Sequence, residues 1–152
     1  MPKRSAGILL HRRGEVLLVH PGGPFWAKRD DGAWSIPKGE YEDGEDPLAA
    51  ARREFEEELG SALPDETELR PLGEVKQKNG KLVMCWAAEG DLDATAAHSN
   101  TFEMEWPPRS GRRQSFPEID RAEWFPLARA RETLVPAQAA FVDRLEEEGA
   151  AA

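Results

Sequence analysis

Between Gly39 and Gly60 the chain reads GEYEDGEDPLAAARREFEEELG, and this stretch marks a helix at both of its ends. Asp46 suits the N-cap and Pro47 the first helical position, where a missing N–H is no loss. Leu48-Ala49-Ala50-Ala51 are strong helix formers without β-branching. Gly60 suits the residue just past the helix, where a left-handed backbone ends it. Leu48, Ala51, Phe55 and Leu59 recur at helical spacing and form an apolar stripe to bury. Glu54, Glu57 and Glu58 then fall at i, i+3 and i+4, largely off that stripe. Like charges so close repel, and a divalent cation, which prefers hard oxygen ligands, would compensate them. A solvated acidic face is the blander reading of Glu56-Glu57-Glu58 taken alone. Gly39, Glu45 and Arg53 at fixed offsets weigh against it. The segment from Gly39 to Asp46, rich in glycine and acid, reads as a loop entering the helix.

The stretch resembles the Nudix box, G-x5-E-x7-R-E-U-x-E-E-x-G-U with U a bulky aliphatic residue. Gly39, Glu45, Arg53-Glu54, Glu57-Glu58 and Gly60 all stand at the required spacing. The departures are Phe55 at the first U and Ser61 at the last, neither of which supplies chemistry. Trp34-Ser35-Ile36-Pro37-Lys38-Gly39 is similar to the family's W-x-x-P-K-G lead-in. Ala6–Val19 looks like its opening pair of strands. Glu118, six residues before Trp124, is similar to a late element of the diadenosine-tetraphosphate hydrolase branch.

That resemblance implies an α/β (α+β) fold, an α/β/α sandwich around a mixed sheet. It also implies hydrolysis of a pyrophosphate bond in a nucleoside diphosphate-linked compound, with Mg2+ or Mn2+ as cofactor. Metal ions neutralise phosphate charge and lower the pKa of water, and carboxylates both hold them and serve as base. By position in the box, Glu57 and Glu58 would be primary ligands and Glu54 a ligand or base. The Gly39 carbonyl would complete the shell, with Glu45 standing behind it. Arg53 would orient the acids by charge-assisted hydrogen bonds, a role compatible with an ordinary helix salt bridge. Glu118, on the loop before the last strand, is the candidate base outside the box; an exposed loop acid is the alternative.

Substrate contacts are read from residue type and placement. Lys38 precedes the box glycine and suits a phosphate. Arg109, Arg112 and Arg113 make the one dense basic patch of the chain, fit either for distal phosphates or for solvent. Phe25 and Trp26 lie in a loop from Pro21 to Asp31 whose glycines and prolines suggest exposure, and an aromatic there would stack on a base. Trp34, Trp86, Trp106 and Trp124 read as core. His20 and His98 lack metal-ligand spacing. The expected substrate is a dinucleoside polyphosphate or a nucleoside triphosphate. Diphosphoinositol polyphosphates and a non-catalytic nucleotide sensor are the alternatives; degenerate boxes mark the sensor, and here every box acid is present.

A length of 152 residues fits one domain, expected over 1–148 with a frayed tail at 149–152. Charged residues make up 32% and the net charge is −9, which disfavours nonspecific binding to duplex nucleic acid. The single Cys85 excludes an intramolecular disulfide and reads as a buried strand residue. The N-terminus has no long apolar run, so neither a signal peptide nor a membrane span is expected, and a cytoplasmic location is the default. Strands are expected at Ile8–Leu10, Glu15–Val19, Gly32–Ile36, Leu72–Lys78, Lys81–Glu89, Thr101–Trp106 and Ala122–Phe125. Asn79-Gly80 marks a hairpin turn. Pro107–Pro117 reads as a loop, and Leu127–Thr133 and Pro136–Glu148 as helices.

Overall fold

Ile8-Leu9-Leu10 and Val16-Leu17-Leu18-Val19 are continuous apolar runs, so these strands need cover on both faces. The computed structural model, which describes residues 3–149, provides it. β1 (Arg4–Arg12) and β2 (Glu15–Pro21) lie at the centre of a mixed sheet. Ile8, Leu10, Leu17 and Val19 face Ala50, Ala51, Phe55 and Leu59 of helix α1 (Pro47–Leu59). Leu9, Val16 and Leu18 face the opposite layer, where Ala130 of α2 (Leu127–Thr133) meets Phe141, Val142 and Leu145 of α3 (Ala139–Glu147). Phe55 is fully buried, which favours folding by about 1.5–3 kcal/mol. The expected α/β/α sandwich is the observed one.

Across the sheet the order is β4 (Arg70–Lys76), β5 (Leu82–Glu89), β1, β2 and β8 (Ile119–Pro126). β1 runs parallel to β5, and the other neighbours are antiparallel. β1 and β2 pair only beside their turn, at His11↔Val16 and Arg12↔Glu15. Beyond that they part, and residues 35–40 enter the gap. Val19 exchanges both backbone bonds with Ser35 at 2.9 Å, and the Ile8 N–H donates to the Pro37 carbonyl at 3.1 Å. The short strand β3 (Lys38–Glu40) then pairs with Ser5, Ala6 and Gly7. A two-stranded ribbon, β6 (Thr101–Glu105) with β7 (Arg113–Pro117), stands apart from the main sheet.

The helix ends form as the sequence indicates. The Asp46 carboxylate accepts the Ala49 N–H at 3.3 Å, and Gly60 sits at φ 75° with its N–H on the Glu56 carbonyl.

Several expectations need correction. Gly39 and Glu40 belong to a strand rather than a loop, because β1 has an edge to offer once β2 has left it. The strand expected at Gly32–Ile36 reduces to single bridges at Trp34 and Ser35. Ala50, not Leu48, is buried on the helix stripe. Residues 113–117 of the expected Pro107–Pro117 loop are β7, since β6 supplies a partner that local composition does not reveal. The last helix begins with a 3-10 turn at Pro136–Gln138. Trp106 lies outside both core clusters and packs edge-on against Phe25, with ring centroids 5.5 Å apart. Of the tail expected at 149–152, residues 150–152 lie outside the described ones. No helix among the described residues is long and apolar enough to cross a membrane.

The inserted segment crosses β1 at Gly7, where an added Cβ would lie 2.7 Å from the Lys38 Cβ and overlap the Pro37 carbonyl. Gly7→Ala should therefore destabilise the chain by about 1–3 kcal/mol, measured by urea unfolding. An unchanged midpoint would show that the segment yields at no cost.

Candidate active site

The inserted strand and the helix meet at the box. Gly39 packs directly on the Glu54 side chain, and any Cβ there would overlap its carboxylate. The Lys38 backbone N–H donates to Glu58 Oε1 at 3.1 Å. Arg53 spans three acids: it bonds Glu45, donates to Glu54 Oε1 at 3.2 Å, and lies 4.0 Å from Glu57 Oε1. Glu45 also accepts the Glu42 N–H at 3.3 Å, so the loop acid is fixed from both sides. The Arg53 guanidinium holds the Glu45 carboxyl below its ordinary value.

Glu118 lies at a bend between β7 and β8. Its carbonyl accepts the Gly22 N–H at 2.8 Å and its N–H donates to Asn100 at 2.9 Å. Glu58 and Glu118 both face a cavity of about 430 Å3, together with Lys38, Lys81 and Trp26. Burial pushes the Glu58 carboxyl up to about 8, and the charges of Glu54 and Glu118 add to the rise; the Lys38 N–H and ammonium oppose it. Burial raises Glu54 as well, with Glu57 and Glu118 contributing. Burial lowers the Lys38 ammonium, helped by the neighbouring charge of Lys81.

Lys38, Gly39, Glu54, Glu58, Glu118 and Trp26 thus come together, from a strand, a helix and two loops. Phe25 is 63% exposed and leans on Trp106 rather than lining the cavity. Arg109, Arg112 and Arg113 are exposed around the ribbon turn and do not line it either. Sequence reasoning missed Gln77, Asn79, Lys81 and Gln138, all on the cavity wall. The Asn79-Gly80 turn was visible, and Lys81 follows it directly; nothing local pointed to Gln138.

His20, given no role by its spacing, is fully buried, and its Nδ1 lies 2.7 Å from Asp120 Oδ1. Its other nitrogen bonds the Arg29 carbonyl, linking the loop of Trp26 to the segment that carries Glu118. A second cavity, of about 500 Å3, lies near the β1–β2 turn among Arg12, Arg13, Glu15 and Asp91. Arg12 pairs there with both Glu15 and Asp91.

Among the described residues, no three His, Cys, Asp or Glu side chains are gathered into a metal-holding cluster. Arg53 takes up part of the acid charge, and Glu58 is turned onto a backbone N–H. The donor set nevertheless fits a hard divalent cation. Glu54 and Glu58 are half-buried carboxylates raised by their surroundings and close to a third acid, which leaves them short of positive charge.

The family model of the NUDIX domain matches residues 1–145. The chain belongs to the NUDIX family. Among curated NUDIX relatives, an RNA pyrophosphohydrolase of Brucella anthropi is 31% identical over 147 residues, covering 80% of this chain and 78% of that one. An RNA pyrophosphohydrolase of Rhodospirillum rubrum is 44% identical over 64 residues, 40% of this chain, and the match spans only 39% of that relative's length. Among solved structures, a C. elegans Ap4A hydrolase in a binary complex superposes with a TM-score of 0.67 at 21% identity, covering 96% of this chain and 98% of that one. At that identity the likeness establishes the NUDIX fold.

A carboxyl whose pKa is raised on folding keeps its proton longer in the folded chain. Below the unfolded value near 4.5 its burial carries no ionisation penalty, and stability falls as pH rises toward about 8. His11, lowered mainly by burial, acts in the opposite sense over part of that range. The readout is therefore the difference between variants. In EDTA, the melting temperature should drop more between pH 5 and 8.5 in the wild type than in Glu58→Gln. Equal drops would show that Glu58 titrates normally.

Proposed function

We propose that this chain is a Mg2+- or Mn2+-dependent hydrolase of a pyrophosphate bond in a nucleoside diphosphate-linked compound. The observation that carries this reading is one cavity faced by Glu58 and Glu118 together with Lys38 and Lys81. A polyphosphate requires both kinds of group, cations for its charge and a carboxylate to take a proton from water. Glu54, Glu57 and Glu58, with the Gly39 carbonyl, would hold the cation, which when bound neutralises phosphate charge and lowers the pKa of water.

The chain's own residues do the rest. Arg53, fixed by Glu45, orients Glu54 and restrains Glu57. Lys38 presents its ammonium to a phosphate oxygen while its N–H turns Glu58. Glu118, anchored through its backbone to Gly22 and Asn100, takes the proton from water, with Glu54 as the other base within the cluster. Trp26, 39% exposed at the cavity, offers a ring for a base to stack on.

Dinucleoside polyphosphates or nucleoside triphosphates are the favoured substrates. A second reading, the 5′-polyphosphate end of an RNA, is supported by the alignment over 147 residues with a relative named RNA pyrophosphohydrolase. The exposed arginines at 109, 112 and 113 stand off the cavity and lend no particular weight to a diphosphoinositol polyphosphate.

The test is magnesium-dependent hydrolysis across diadenosine polyphosphates, nucleoside triphosphates, inositol pyrophosphates and 5′-triphosphorylated RNA, with products counted. Glu57→Gln, nearly isosteric and exposed, should lower turnover by at least about 100-fold, more than the usual cost of losing an outer partner of a metal ligand. Turnover close to wild type would remove Glu57 from the site.

A further inference from the structure

The same cavity is also lined by amides whose polarity is set from the backbone. Gln138 is fully buried in the 3-10 turn ahead of α3. Its Oε1 accepts the Ile36 N–H at 2.9 Å. A backbone N–H is a donor only, so this end of the carboxamide has to be the oxygen. The Nε2 is thereby turned toward Ser35 Oγ at 3.2 Å and Gln77 Oε1 at 2.9 Å. Ser35 fixes the same sense independently. Its hydroxyl proton goes to the Ile36 carbonyl at 2.7 Å, which leaves Oγ to accept.

Gln77 must then offer its carbonyl to Gln138, and its NH2 is the end left over, without a partner among the described residues. Its backbone is held by the β4–β5 turn, through bonds to Lys81 and Gly80 at 2.8 Å. The residue is only 8% exposed and stands on the cavity. Its NH2 opens onto the cavity, where an acceptor atom of a ligand can take the place of water. Asn79 repeats the arrangement: its Oδ1 accepts the Lys81 N–H at 3.0 Å, so its NH2 is the free end. Lys38 and Lys81, which can only donate, face the same space.

We propose that this wall is a donor-only subsite for acceptor-only oxygens of the substrate, and that Gln138 is a positioning residue holding Gln77 with its donors outward. The oxygens are phosphoryl oxygens of the polyphosphate or a carbonyl of its base; the subsite rests on the hydrolase reading above for that class of ligand. An exocyclic amine turned to this wall would meet donors only and be rejected there.

Binding is measured by calorimetry on the full chain in EDTA, with tripolyphosphate, inosine monophosphate and adenosine monophosphate as probes. Gln77→Leu should weaken tripolyphosphate about tenfold, the usual cost of one hydrogen bond to a charged group, and Gln77→Glu should weaken it more. If Gln77→Leu weakens inosine monophosphate alone, the subsite stands and the oxygen read is the base carbonyl. Gln138→Met should weaken binding when Gln77 is present and have no further effect when Gln77 is already Leu. Equal losses with and without Gln77 would make Gln138 merely structural and overturn the positioning role. Unchanged binding of all three probes in Gln77→Leu, or no binding of any by the wild type, would overturn the subsite. Gln77→Leu, at the cavity wall, carries the test if circular dichroism shows Gln138→Met unfolded. Absent hydrolysis with these affinities intact would sink the hydrolase reading and leave the subsite standing.

Discussion

The parting of β1 from β2 is the constraint on which the rest depends. Two neighbouring strands that separate after a few residues leave backbone donors and acceptors facing a gap, and buried groups of that kind must be paired. Residues 35–40 pair them: Val19 with Ser35, Ile8 with Pro37, Gly7 with Lys38. The same insertion puts Gly39 against Glu54 and the Lys38 N–H on Glu58. Sheet completion and site assembly are therefore one event. It requires glycine at position 7, where the segment crosses, and at position 39, where the helix acid arrives.

The second organising force is excess negative charge. Glu54, Glu57, Glu58 and Glu118 influence one another, yet the chain supplies Arg53 from the same helix and lysines from β3 and the β4–β5 turn. Arg53 works at the outer rim, with Glu45 as its counter-anchor. Lys38 and Lys81 stand inside, where burial and mutual repulsion make the Lys38 charge harder to keep. Glu54 and Glu58 pushed up and Lys38 pushed down at one site suit a ligand that brings both negative phosphates and a cation. His20 ties two walls of the site together, since one buried ring holds both Asp120 and the Arg29 carbonyl.

Much of the box was legible in the sequence because its signals are local. Asp46, Pro47 and Gly60 fix where α1 begins and ends through backbone needs that involve only near neighbours. The offsets of Glu54, Glu57 and Glu58 fix a shared face through the helical repeat alone. Leu48 was misplaced because the stripe's exact centre depends on which strand residues it meets, and the sheet selected Ala50. Trp106 misled in the same way: a large apolar residue invites burial, but its strand pairs in the outlying ribbon and the ring finds Phe25 instead.

The sequence by itself determined the α1 helix, its acidic face, the two central strands and the box that marks the family, all of them properties of spacing within a few turns or a short run. Tertiary structure decided what stands across from that face. Glu118 is 60 positions beyond Glu58 and Gln138 is 61 beyond Gln77, and no local preference relates residues so far apart. Only the closure of β8 against β2, and of α3 against the opposite face of the sheet, brings them to one cavity. The polarity of Gln77 is the clearest instance, because a carboxamide has no preferred sense until a fixed donor such as the Ile36 N–H is placed behind it.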